Sequence, residues 1–168
     1  MKMNITVKSL ESQVLDMLEN VKDPEIDTVS IIDLGMVEKV TSQNAVVDIK
    51  ILPTFIGCPA LTIIKNNIEK AVLEIDGVEK VNVDFIYTPP WTSDRVSEKG
   101  REGLRAFGIA PPPRFLESDG SWQVDCPYCG STYVTLENIF GPTACRSILY
   151  CKTCKNPFEA MKPISTLM

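Results

Sequence analysis

Two Cys-x-x-Cys pairs near the C-terminus restrict the fold of this 168-residue chain more than any other feature. They are separated by 21 residues, within which 133–136 and 148–150 each have the pattern of a short strand. So short a module buries too little apolar surface to fold unaided, and four thiolates on one zinc ion would supply the missing stabilisation. The spacing therefore predicts a zinc-ribbon β-hairpin with structural zinc bound by Cys126, Cys129, Cys151 and Cys154. Paired disulfides and iron–sulfur ligation are the alternatives.

Composition excludes several classes of function for this chain. The net charge of −5 disfavours nucleic acid and anionic membranes as partners. No apolar run is long enough for a transmembrane helix, and the first residues lack the apolar stretch of a secretion signal. We therefore expect a cytoplasmic protein whose six cysteines stay reduced or bind metal. Because the chain has no histidine, hydrolases that pair serine or cysteine with histidine are excluded.

The first two thirds of the chain predict an α+β fold, a small mixed sheet with packed helices. Apolar residues recur at helical spacing over 10–21 after Ser9, and again over 60–75 before Gly77. Strands are predicted at 29–40, 47–51 and 81–87, the first two forming an antiparallel hairpin. The acidic corner Asp23-Pro24-Glu25 is consistent with simple termination of the first helix. The strand at 81–87 should join the same sheet through a crossover.

A basic, poorly apolar segment and a proline-rich stretch follow the last of these strands. The segment 95–107 predicts a helix that ends at Gly108 and carries Arg95, Lys99, Arg101 and Arg105. Such a helix is either a solvated face or a surface for docking a partner. The prolines that follow indicate a stiff linker. We therefore expect domains at 1–110 and 122–168, joined by a linker at 111–121.

Cys58 lies between Gly57 and Pro59, in the loop that joins a predicted strand to a predicted helix. A thiol at the N-terminus of a helix meets unpaired backbone N–H groups and the positive end of the helix dipole, which favour thiolate. Thiolate is the form that binds iron or attacks a disulfide. The alternative is a small buried apolar residue at a turn.

Cys145 is the odd thiol of the C-terminal module. Its spacing to Cys151 does not fit a further Cys-x-x-Cys pair. It is therefore either a small buried residue or an additional ligand of an iron–sulfur cluster.

Several short motifs together resemble a known family. Asp23-Pro24-Glu25-Ile26, Asp33-Leu34-Gly35-Met36 and Thr54-x-x-Gly57-Cys58-Pro59 resemble the MIP18-like domain, formerly DUF59, of iron–sulfur assembly factors. The later motifs Pro90-Trp91-Thr92-Ser93-Asp94, Gly108-Ile109-Ala110-Pro111-Pro112 and Phe140-Gly141-Pro142-Thr143-Ala144-Cys145 are similar to the phenylacetate-degradation protein D group. The resemblance covers nearly the whole chain.

The resemblance implies an accessory role without catalysis. Members of the group are encoded with phenylacetyl-CoA epoxidase, a di-iron enzyme fed by a ferredoxin-like reductase, and are associated with its metal or iron–sulfur maturation. The residue corresponding to Cys58 handles a transient iron or iron–sulfur cluster, with Thr54, Asp23, Glu25 and Asp33 in the same region. Acidic neighbours oppose a free thiolate unless a metal lies between them. Since one thiol cannot hold a cluster, a homodimer or a client protein must supply further ligands.

Two functions of different classes follow from these observations. The first is a maturation factor that delivers iron or an iron–sulfur cluster to the epoxidase subunits or to the reductase. The second is a structural adaptor that holds the oxygenase components together through the zinc ribbon and the basic helix, with Cys58 inert. A nucleic-acid-binding ribbon is disfavoured by the acidic charge balance.

Overall fold

The computed structural model describes residues 8–114 and 123–163 and confirms the α+β class. The helices are α1 (Leu10–Leu18), α2 (Leu61–Leu73) and α3 (Glu98–Phe107). The strands, in chain order, are β1 (Lys22–Asp23), β2 (Ile26–Ser30), β3 (Val37–Gln43), β4 (Val46–Ile51), β5 (Lys80–Phe85), β6 (Ile109–Ala110), β7 (Val134–Asn138), β8 (Arg146–Cys151) and β9 (Pro157–Met161). Within the described ranges, no helix has the length and apolar character needed to cross a membrane.

The central sheet has the order β3-β4-β5 and carries the loop that holds Cys58. β3 and β4 form the predicted antiparallel hairpin, whose turn residues Asn44 and Ala45 both have positive φ, 49° and 65°. This is the backbone geometry of a tight hairpin turn that matches the twist of the strands. β5 pairs with β4 in parallel, with Ile51 opposite Phe85, as predicted. The Cys58 loop therefore leaves the carboxyl end of the middle strand.

The main core lies between this sheet and α1 and α2. Val47, Ile49 and Ile51 alternate along β4 and are at most 1% exposed, which is the period-two pattern of a half-buried strand. Each helix buries the apolar stripe predicted from its spacing, namely Val14 and Leu18 of α1 and Ile64, Ile68 and Val72 of α2.

The predicted strand at 29–40 was wrong as a single element. β2 ends at Ser30 and β3 begins at Val37, with a turn between them. Gly35 has a φ of 66°, and a Cβ there would lie 2.4 Å from the carbonyl oxygen of Arg95. A segment 60 residues away thus packs closely against the chain at this turn, where only glycine leaves it room.

The predicted basic helix begins later than expected, at Glu98, where the Ser97 hydroxyl accepts the N–H of Gly100 at 2.9 Å. Two of the four cations of the predicted segment bind the chain itself. Arg101 is 5% exposed and donates to the carbonyl of Pro112, while the Arg95 side chain pairs with Glu38 at 2.8 Å. Lys99 and Arg105 are exposed, so the segment is not a fully solvated face but keeps part of its basic surface.

The C-terminal module forms a second sheet in the order β6-β9-β8-β7. β6, which precedes the expected linker, pairs in parallel with β9, placing Ile109 opposite Glu159 and Ala110 opposite Ala160. Ala110 is part of the small core of this module, whereas Met161 of β9 is part of the main core. The two modules thus share strands and core residues. Of the expected linker, 115–121 lies outside the described residues.

Candidate metal centres

The structure brings the four cysteines of the two Cys-x-x-Cys pairs together, with all four sulfurs within 4.8 Å of one another. The sulfurs of Cys126 and Cys154 are 3.7 Å apart, and those of Cys129 and Cys151 are 3.6 Å apart. A disulfide would require about 2.0 Å. A tetrahedron of sulfurs about 2.3 Å from a central zinc has edges of about 3.8 Å. The donors and their spacing therefore fit one tetrahedral ion.

The two halves of this cluster have the same backbone geometry. The N–H of Gly130 donates to the carbonyl of Cys126 at 2.8 Å, and the N–H of Lys155 donates to the carbonyl of Cys151 at 2.9 Å. Both residues adopt a left-handed backbone, with φ of 72° and 61°. Each Cys-x-x-Cys pair is thus a tight turn that points both of its thiols to one side.

The electrostatics of the turns favour thiolate at Cys151. Its sulfur accepts the N–H of Cys154 at 3.5 Å. This backbone hydrogen bond and a second one from Thr153 lower the pKa of Cys151 to about 6. A sulfur that is already ionised near neutral pH is prepared to bind a cation.

Cys58 lies in the loop before α2, two residues ahead of the N-cap Ala60, and packs against the main core. Gly57 before it has a φ of 86°, and the N–H of Cys58 donates to the carbonyl of Phe55 at 3.3 Å. The pKa of Cys58 is nevertheless raised, chiefly by burial and then by Cys145, Glu25 and Asp23, against a backbone hydrogen bond from Ala60. The expectation that the helix terminus favours thiolate is therefore corrected, and this thiol stays protonated at neutral pH.

Two of the acidic residues implied by the resemblance act on Cys58 directly. Asp23 accepts the N–H groups of Glu25 and Ile26 at 2.8 and 3.1 Å, so it also shapes the turn that joins β1 to β2. Burial raises the pKa of Asp23. The Glu25 carboxylate reaches the guanidinium of Arg146 at 3.4 Å.

Asp33 and Thr54 have different surroundings. The Asp33 carboxylate accepts hydrogen bonds from the hydroxyls of Ser30 at 2.7 Å and Ser97 at 3.0 Å, so it joins the turn at 31–35 to the start of α3. Thr54 lines an apolar cavity of about 400 Å³ whose other walls are Pro53, Phe55, Ile56, Ile86, Tyr87, Pro90 and Trp91.

The structure places Cys145 outside the four-sulfur cluster, with its sulfur 3.2 Å from the hydroxyl of Thr143. Its charge interacts with that of Cys58, although the two residues belong to different modules. The next residue, Arg146, is 7% exposed and binds Glu159 at 2.6 Å as well as Glu25. Sequence reasoning missed Arg146 entirely. The failure of Cys145 to fit the spacing of the Cys-x-x-Cys pairs was the one available sign that it lies elsewhere.

Comparison with known protein families matches both parts of the chain. Residues 11–85 match the family described as iron–sulfur cluster assembly protein. Residues 110–162 match the family described as PaaD zinc beta ribbon domain. The second match begins at β6, in agreement with the pairing of that strand to β9.

Individual relatives agree with these matches. The chain is 36% identical over 153 residues to an Escherichia coli (strain K12) protein provisionally named as the D subunit of 1,2-phenylacetyl-CoA epoxidase, covering 90% of this chain and 92% of that protein. It is 32% identical to the Fe-S protein maturation auxiliary factor YitW of Bacillus subtilis (strain 168), covering 58% of this chain and 95% of the relative.

A solved structure supports the fold of the first module. The crystal structure of a domain of unknown function DUF59 from Bacillus anthracis aligns with a TM-score of 0.53 and 32% identity, over 56% of this chain and 91% of that domain. This chain, with an iron–sulfur cluster assembly domain followed by a PaaD zinc beta ribbon domain, therefore belongs to the family of the 1,2-phenylacetyl-CoA epoxidase D subunit.

Proposed function

We propose that this protein is a non-catalytic maturation factor of the phenylacetyl-CoA epoxidase system and delivers iron or an iron–sulfur cluster through Cys58. The observation that carries the proposal is that Cys58 lies in the segment that matches the iron–sulfur cluster assembly family, where burial and, among its charged neighbours, Glu25 and Asp23 raise its pKa. A thiol among carboxylates suits a transient cation better than a free nucleophile, because neighbouring negative charge opposes an unmetallated thiolate.

The clients that fit this role are the epoxidase subunits or the ferredoxin-like reductase that serves them. One thiol and two carboxylates leave coordination positions open, so a client or a second copy of the chain completes the sphere during transfer. We place the protein in the cytoplasm, where its cysteines, all free in the structure, stay reduced.

The four-sulfur cluster has a separate and permanent role in this proposal. Cys126, Cys129, Cys151 and Cys154 form a closed site for one structural zinc ion. A cluster with several irons would divide its ligands among them, whereas these four sulfurs surround a single point. The adaptor alternative keeps only part of its basic docking face, because Arg95 and Arg101 are bound within the chain while Lys99 and Arg105 are exposed.

Co-expression with the epoxidase and its reductase tests the delivery role. Cys58→Ser should lower the iron content and activity of the purified client by about tenfold or more, because the transferring ligand is lost. Thr62→Ala, at an exposed position of α2, is the matched control and should leave both at the wild-type level. Wild-type iron content with Cys58→Ser, in a complex that still assembles, contradicts delivery through this thiol.

A further inference from the structure

The strand β7 lies at the edge of the C-terminal sheet. It pairs with β8 on one side, and among the described residues no strand pairs with its other side. The carbonyl of Tyr133 accepts the N–H of Lys152, which lies at the end of β8, at 2.9 Å. Successive residues of an antiparallel strand direct their backbone groups to alternate sides. The N–H and carbonyl of Leu136, three residues after Tyr133, therefore point away from β8, where a further strand could bind them.

Large apolar side chains are exposed along this edge. They are Tyr133, Leu136, Ile139 and Phe140, which are 63%, 48%, 49% and 72% exposed. The loop that carries the last two is held by hydrogen bonds, from the N–H of Phe140 to the side chain of Asn138 and from the N–H of Gly141 to the carbonyl of Arg146, both 2.9 Å long. A fixed apolar surface of this kind loses little conformational entropy when a partner binds it.

A lysine lies at each end of the same edge. The Nζ of Lys152 is 5.1 Å from the centre of the Tyr133 ring, and the Nζ of Lys162 is 5.2 Å from the centre of the Phe140 ring. These cation–π contacts hold both ammonium groups beside the exposed rings. Within the described part of the chain, neither ammonium forms an ion pair with a carboxylate. The edge is thus basic at both ends, with Glu137 as the one acidic residue of the strand between them.

We propose that β7 binds an extended segment of another protein as an added strand, with apolar side chains at the centre of that segment and carboxylates at both of its ends. The free backbone groups of Leu136 bind the main chain of the segment, and the exposed apolar side chains contact its centre. The carboxylates face Lys152 and Lys162. A second copy of this chain fits poorly, because pairing two β7 strands in either direction places lysine beside lysine. This docking surface goes beyond the delivery function and does not involve Cys58.

Peptide binding by the zinc-loaded full chain tests this surface. The probe is a fluorescein-labelled peptide that alternates valine and threonine between pairs of glutamates, and a matched basic probe carries lysines in place of the glutamates. In fluorescence anisotropy, the acidic probe should bind at least about tenfold more tightly than the basic one, with a difference that shrinks as salt is added. N-methylation of its central valine removes a backbone donor and should weaken binding by about fivefold or more.

Variants of the chain locate the binding at β7. Leu136→Glu places a negative charge at the centre of the edge and should weaken binding of the acidic probe at least about tenfold. Ile63→Glu, at a similarly exposed position of α2, is the matched control and should leave binding unchanged. Lys152→Gln combined with Lys162→Gln should abolish the preference for the acidic probe. Zinc content and thermal unfolding of each variant establish that it is folded.

Three outcomes overturn the proposal. Equal binding of the acidic and basic probes removes the role of the lysines, and acidic binding that survives Leu136→Glu places the site elsewhere. A concentration-dependent dimer in analytical ultracentrifugation, abolished by Leu136→Glu, shows instead that a second copy covers the edge. Cys58→Ser should leave probe binding unchanged, so the docking surface and the delivery function can fail separately.

Discussion

The protonation state of Cys58 decides how this thiol can react in the metal-free protein. Burial is the largest cause of its raised pKa, and Cys145, Glu25 and Asp23 act in the same direction. A raised thiol pKa means that the neutral form persists to higher pH, so the thiolate fraction at pH 7 is smaller than for a free cysteine. Such a thiol resists oxidation and alkylation at neutral pH.

We therefore expect alkylation of Cys58 by iodoacetamide in the zinc-loaded wild type to reach half its maximal rate above the ordinary thiol pKa of 9.0. Glu25→Gln removes a negative charge and should shift this midpoint downward, but not below the ordinary value, because burial remains the main cause. Without the Glu25 carboxylate, the positive charge of Arg146 is less neutralised, which also lowers the pKa of Cys58. Mass spectrometry of the Cys58 peptide against pH measures the midpoint. A wild-type midpoint at or below 9.0 contradicts this account.

Among single residues, the sequence identified the thiols but not their neighbours. The four zinc-ribbon cysteines follow from spacing alone, because a Cys-x-x-Cys turn is local. The burial of Arg146 depends on contacts between segments far apart in the chain, such as the one that joins Arg146 to Glu25. No local pattern contains that information.

At the level of elements, the glycines of α3 stabilise the protein although glycine usually destabilises a helix. A Cβ on Gly100 would lie 2.5 Å from the carbonyl oxygen of Asp33, and one on Gly103 would lie 2.8 Å from that of Thr28. The Thr28 hydroxyl also donates to the carbonyl of Gly103 at 2.8 Å. The helix thus packs directly against the backbone of the β2 segment and of the turn after it. Its glycines make this close packing possible, although they weaken α3 as an isolated helix.

Gly100→Ala should therefore destabilise the protein by about 1–3 kcal/mol, the usual cost of overpacking, instead of stabilising it by about 1 kcal/mol as at an exposed helical site. Urea unfolding of zinc-loaded protein measures the difference. Glu102→Ala, at an exposed position of the same helix, is the control and should change stability by less than about 0.5 kcal/mol. A more stable Gly100→Ala protein would show that the backbone contact is relaxed in solution.

The burial of apolar faces explains which elements could be predicted from the sequence. α1, α2, the β3–β4 hairpin and β5 follow from apolar periodicity because one face of each is buried in the main core. The break between β2 and β3 does not follow, since Ile31, Leu34 and Met36 are all buried and continue the apolar pattern through the turn. Hydrogen bonds within the turn, such as that from the N–H of Leu34 to the carbonyl of Ser30, and the approach of Arg95 to Gly35 together determine where the strand stops.

For the molecule as a whole, the sequence identified two modules but not how tightly they are joined. Ile109 and Ala110 form β6 directly before the proline-rich segment, so the predicted boundary fell within the contact between the modules. Ile109 and Met161 lie in the main core, and Ala110 lies in the core of the ribbon. We therefore expect the two modules to fold as one cooperative unit, although each matches a different family.

Removal of the structural metal tests this cooperativity. Elemental analysis of the purified protein should give about one zinc per chain. A chelator should then unfold the ribbon, because its own core of Val124, Leu149, Phe158 and a few small residues is too small to persist alone. Loss of β9 exposes Ile109 and removes Met161 from the main core, so the first module should also lose stability. Burial of one such side chain contributes about 1.5–3 kcal/mol to stability. We expect the free energy of unfolding of the first module to fall by a similar amount.

Hydrogen exchange with and without chelator separates the two modules within one experiment. Amides of β4, in the middle of the central sheet, should exchange faster in the zinc-free chain, although they lie outside the ribbon. Cys145→Ser is the matched control, because it removes a thiol of the ribbon outside the four-sulfur cluster and should leave β4 protection unchanged with zinc bound. If β4 protection is the same with and without zinc while the ribbon exchanges freely, the modules are independent.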